Sequence, residues 1–104
     1  MQVPVEASKQ EAVKAAIDEV VEALAPKIVH IRSNFGEDWM GNPALFFRVL
    51  LSDEASKDEN LHPTARRVYQ LMDERMDALD LNVHSHFNFR SLSEQRNLKD
   101  TDWA

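Results

Sequence analysis

The chain has 104 residues, 12 Lys and Arg against 18 Asp and Glu, and a formal net charge of −6. That length reads as one domain over residues 1–104, with room for one core but not for a core, a deep cleft and a cofactor site together. The acidic balance excludes attraction of the whole surface to nucleic acid or anionic membrane, and the absence of cysteine excludes a disulfide framework, a Cys zinc site and a thiol nucleophile.

Residues 1–7 read as an arm. The opening Met1-Gln2-Val3-Pro4-Val5-Glu6 has no basic stretch followed by an apolar run, and no segment reaches the ~18 apolar residues of a membrane span, so the cytoplasm is the expected location. Ser8-Lys9-Gln10-Glu11 has capping-box spacing. Val13, Ile17, Val20 and Leu24 then recur at helical spacing up to Pro26, which predicts a helix over 9–25.

The period changes to two over 27–35 and again over 44–51, predicting two strands joined as a hairpin through residues 36–43. In the first, Val29, Ile31, Ser33 and Phe35 face one way and Ile28, His30, Arg32 and Asn34 the other. In the second, Leu45, Phe47, Val49 and Leu51 oppose Phe46, Arg48 and Leu50. Residues 52–60 are polar and read as a loop. Pro63 is placed in a first helical turn, and Leu61, Ala65, Val68, Met72, Met76 and Leu79 form a second helical stripe. A third strand is predicted over 83–90, with Val83, Ser85, Phe87 and Phe89 against His84, His86, Asn88 and Arg90. Ser91-Leu92-Ser93-Glu94 repeats the capping-box spacing and opens a short helix or turn in the tail, 91–104. The expected architecture is an α+β two-layer sandwich of order αββαβ. Two helices cover one face of a three-stranded sheet, and the third strand is placed beside either the first or the second.

Such a packing leaves Ile28, His30, Arg32, Phe46, Arg48, Leu50, His84, His86, Asn88 and Arg90 on the open face. The three predicted strands contain no Asp or Glu, so acids are expected on helices and loops and bases on the sheet. Three readings follow. The chain's own acidic loops or tail fold over the bases. Alternatively, the mixture of Arg and aromatics is a protein interface, with a second copy or a partner protein. Or Arg32, Arg48 and Arg90 hold a small phosphate- or carboxylate-bearing ligand, with His84 or His86 as acid–base groups if the protein is an enzyme. An RNA strand is a lesser version of the third.

His84-Ser85-His86 has the spacing of a metal half-site, with His30 a third candidate, but neighbouring Arg side chains repel a cation; no metal and no cofactor is expected. Both glycines of the chain bracket Gly36-Glu37-Asp38-Trp39-Met40-Gly41. This loop is read either as a wide hairpin with Trp39 tucked on the core edge, or as a recognition loop with Trp39 as anchor and Glu37 and Asp38 as acceptors. It lacks the spacing of a calcium loop and the lysine of a phosphate loop. The Gly-x-x-Gly of KH domains and the paired aspartates of small nucleotidyltransferases are also missing. The leading expectation is a non-catalytic interaction module binding through Arg32, Arg48, Arg90, Phe46, Asn88, Trp39, Glu37 and Asp38, with no membrane partner and nucleic acid disfavoured.

Overall fold

Two helical stripes and three alternating segments can bury their apolar sides together only by laying both helices on one sheet face. The computed structural model, which describes residues 7–81 and 83–103, has that arrangement. The order is α1 (Ala7–Ala23), β1 (Ile28–Glu37), β2 (Pro43–Leu51), α2 (Asp58–Leu79), β3 (His84–Ser91) and α3 (Leu92–Leu98), then a 3-10 turn at Thr101–Trp103. The class is α+β. Residues 1–6 of the expected arm lie outside the described residues. No described helix is long and apolar enough to cross a membrane.

The sheet order is β1-β2-β3. β1 and β2 pair antiparallel as the expected hairpin, and β3 pairs parallel to β2. The place of β3, which periodicity leaves open, is thus beside β2, with α2 as the crossover. β2 is buried on both sides: Leu45, Phe47, Val49 and Leu51 meet the helices, and Ala44 and Leu50 are buried on the other face. Val13, Ile17, Val20 and Leu24 on the first stripe and Val68, Met72 and Met76 on α2 complete the core. Tyr69 meets Phe87 and Phe89 edge-on, with centroids 4.7 and 5.7 Å away. Arg75 Nε donates to Glu19 Oε2 at 3.0 Å, joining the two helices on their solvent side.

Several boundaries differ from the sequence expectation. α1 begins at Ala7, ahead of the expected start at residue 9, so Ser8 falls within its span. α2 begins at Asp58, which places Pro63 inside the helix and not at its start. β1 runs on to Glu37, so Gly36 lies in the strand and one acid does enter the sheet. A Cβ at Gly36 would stand 3.3 Å from the Phe46 ring, closer than ordinary van der Waals contact.

The largest correction concerns Ile28. The β1–β2 register shifts between Ile28 and His30, so Val29 is the extra residue of a bulge. Ile28 is 3% exposed and in the core, while Val29 is 42% exposed. The assigned sides are therefore exchanged for these two residues and hold from His30 onward. Periodicity carries no mark of the inserted residue.

The second capping box forms as its spacing implies: Glu94 N–H donates to Ser91 Oγ at 3.1 Å, and the Glu94 carboxylate accepts from Ser91 N–H. α3 is also held from the β2–α2 loop. Ser93 N–H and Oγ donate to the two Asp53 carboxylate oxygens at 2.9 and 2.6 Å. The Ser93 side-chain bond, then its backbone bond, holds the Asp53 pKa below the ordinary Asp value. A carboxyl whose pKa is lowered on folding contributes stability that is complete above the unfolded pKa and lost as pH falls through the folded one. The anchoring of α3 is therefore expected to weaken at pH below ~4. In an NMR titration the Ser93 amide should move with Asp53 in the wild type and lose that step in Asp53→Asn; an unchanged titration in the variant would exclude the tether.

Candidate functional site

Strand register turns the open face into a grid. From the hairpin end, its rows are Gly36, Ala44 and His84; Asn34, Phe46 and His86; Arg32, Arg48 and Asn88; and His30, Leu50 and Arg90. All of the predicted face residues except Ile28 are on this grid, and the grid divides into two halves.

The half away from the hairpin is covered by the chain itself. Arg90 Nη1 donates to Gln95 Oε1 at 2.9 Å and lies 3.5 Å from Asp100 Oδ2. Its guanidinium sits over the Trp103 ring, 4.3 Å from the centroid, a cation–π contact. Gln95 Nε2 donates to the Asp100 carbonyl at 2.7 Å, and Arg32 Nη1 donates to the Thr101 carbonyl at 3.3 Å. Trp103 is 7% exposed and Leu50 4% exposed. The expectation that Leu50 faces solvent is therefore corrected: it is buried in the row that ends at Arg90, where the tail closes. The reading in which the chain's own acids close over its bases holds for this row. Arg90 is a structural anchor, not an open binding group. The sequence offered one clue, an acid–aromatic run at 100–103, but no periodicity assigns such a run to a place.

The hairpin half stays open. Phe46 stacks on His86 with centroids 5.2 Å apart and planes 21° apart. Arg48 Nη1 donates to Asn34 Oδ1, which fixes its guanidinium on the face. Arg32 stands directly opposite Arg48 in the next strand, and the tail reaches it through the Thr101 carbonyl. Asn88 is exposed beside Arg48. The Nε2 atoms of His30 and His86 are buried with no hydrogen-bond partner among the described residues. Imidazoles left so are costly, roughly 1–3 kcal/mol each.

The histidines do not converge. His84, His86 and His30 belong to three different rows, and His30 is two strands from the others. Among the described residues no three His, Asp or Glu side chains are grouped to hold a metal. Depressions lined by described residues flank the sheet. One is lined by Asp73, Asp77, Asp80 and His84, another by Glu11, Lys14, Asp18 and Arg32. Neither brings His86, Arg48 and Arg90 together.

Beyond the open half is the hairpin tip. Asp38 Oδ1 accepts from Met40 N–H and Asn42 N–H, both at 2.9 Å. Asp38 N–H donates to the Asn42 carbonyl and Gly41 N–H to the Asp38 carbonyl, again at 2.9 Å. Gly41 has φ +82, the conformation that glycine tolerates. The Asn42 backbone bond, with that of Met40 and the charge of His84, keeps the Asp38 carboxyl ionised below the usual Asp pKa. The Oδ1 of the carboxylate expected to accept from a partner thus also shapes its own loop. Trp39 is 90% exposed. It does not tuck onto the core edge, and Met40 beside it is exposed too. No protein-family model, curated protein or solved structure matches the chain.

Proposed function

We propose that the chain is a non-catalytic protein-interaction module, and that it binds through the open half of its sheet together with the hairpin tip. One observation carries this reading: Trp39 is held almost wholly in solvent by a loop whose backbone is tied down on both sides of it. Exposing an indole costs hydrophobic free energy, and fixing the loop costs conformational entropy. Pre-organised aromatics beside arginine are what protein contacts use as anchors. A cytoplasmic setting suits the cysteine-free sequence.

Charge selects the kind of partner. Acids occupy the helices: Glu11, Asp18, Glu19 and Glu22 on α1, and Asp73, Glu74 and Asp77 on α2. Arg48 occupies the open half of the sheet, so an acidic segment fits it best. The small-anion reading draws less support, since Arg90 is engaged by Asp100, Gln95 and Trp103 and neither depression brings it together with Arg48 and His86.

The test uses four tagged baits on one cell extract: wild type, Trp39→Ala, Arg48→Glu, and Glu74→Lys on the far face of α2. A protein retained by wild type and Glu74→Lys, and reduced at least five-fold by each of the other two, is the expected result. Equal retention by all four overturns the reading, as does retention by none from a protein that is also monomeric in solution.

A further inference from the structure

The tail contact shows what this face accepts. Asp100 and Trp103 close over Arg90 by an ion pair and a ring–guanidinium stack. The chain carries a second acid–aromatic run, Glu37-Asp38-Trp39, and this one projects from the hairpin tip. The open half of the sheet offers a second arginine, Arg48, beside the apolar Phe46 ring. Building on the interaction-module reading, we infer that the partner is a second copy of this chain, each copy seating its Trp39 loop on the Arg48–Phe46 part of the other's sheet.

The spacing allows both contacts at once. Leu45 lies three residues from Asn42, at the tip, and three from Arg48, about 10 Å either way along an extended strand. A two-fold axis passing close to the Leu45 position therefore lays each tip over the other copy's Arg48. That is an isologous contact, in which the same patch serves on both sides. Full face-to-face stacking is different. It would set Arg32 and Arg48 of one copy against those of the other, and like charges brought together across an interface oppose it. The offset arrangement removes that conflict, because the carboxylates of Glu37 and Asp38 arrive with the indole. Asp38 needs no change to do so: its bonds to Met40 and Asn42 already hold the loop in its projecting shape. The tail remains on Arg90, at the far end of the sheet.

Two copies exchanging loops make a prediction that other dimers do not. Sedimentation equilibrium across about 1–500 μM should find a reversible wild-type dimer. Trp39→Ala and Arg48→Glu should each weaken it at least ten-fold, while far-UV circular dichroism stays unchanged. Each of those homodimers loses both contacts. A mixture of the two variants restores one, since the Arg48→Glu copy keeps its loop and the Trp39→Ala copy keeps its face. The mixture should therefore form a heterodimer more readily than either variant forms a homodimer.

A dimer unaffected by both substitutions overturns the inference, as does a mixture no better than its components. A wild type that is monomeric throughout also overturns it. Should such a monomer still hold an extract protein in a Trp39- and Arg48-dependent way, only the identity of the partner has failed and the interaction module stands. If Arg48→Glu fails to fold, Arg48→Gln takes its place in the same mixing experiment.

Discussion

Replacing Phe47 with alanine should cost about 3–5 kcal/mol, the range found when a large aromatic is cut from a packed interior. Phe47 lies at the middle of the central strand and has no exposed surface. Its ring stacks on Phe87 with centroids 4.9 Å apart and planes 16° apart, and Tyr69 meets Phe87 edge-on. Removing it opens a void in the buried cluster that β2 shares with both helices. A domain of this size holds roughly 5–15 kcal/mol in all, so the variant should approach the limit of folding. The midpoint of thermal unfolding should fall by roughly 15–30 °C. Phe47→Leu, which keeps most of the volume, should cost clearly less. Chemical denaturation of the three proteins checks this; a loss below about 1 kcal/mol for the alanine variant would mean that the core is centred elsewhere.

The two tryptophans should respond in opposite ways. Trp103→Ala removes a side chain that is 7% exposed, together with the ring lying over Arg90. The expected loss is about 2–4 kcal/mol, since burial and the ring–guanidinium stack disappear together. The substitution also loosens the tail, and Arg90 is left with Gln95 and Asp100. Trp39→Ala removes a side chain that is 90% exposed, and its stability should stay within about 0.5 kcal/mol of wild type. Urea unfolding of both variants, with hydrogen exchange over β3 and α3, measures the contrast. Equal losses would refute the division of the sheet into a covered and an open half. The same pair separates stability from binding, because the tryptophan that does not hold the fold is the one assigned to the contact.

The order of elements, the pairing of β1 with β2, and the place of Phe47, Val49, Phe87 and Phe89 on the helical side were legible in the residue pattern. Each of these follows from a local period, and a local period is set by the backbone geometry of a few neighbouring residues. The Ser91–Glu94 cap was legible for the same reason: its partners are three residues apart. The rest came from packing. Val29 opens a bulge because the register of β1 is fixed by its partner strand, not by its own alternation. Arg90 is covered and Arg48 open because residues 100–103 return to one end of the sheet, and Asp53 reaches Ser93 across 40 positions of chain. Trp39 and Trp103 carry the same side chain beside acids, and no spacing rule tells the exposed one from the buried one. Long-range contacts are chosen by which surfaces the finished layers leave uncovered, and that is a property of the packed molecule, not of any segment within it.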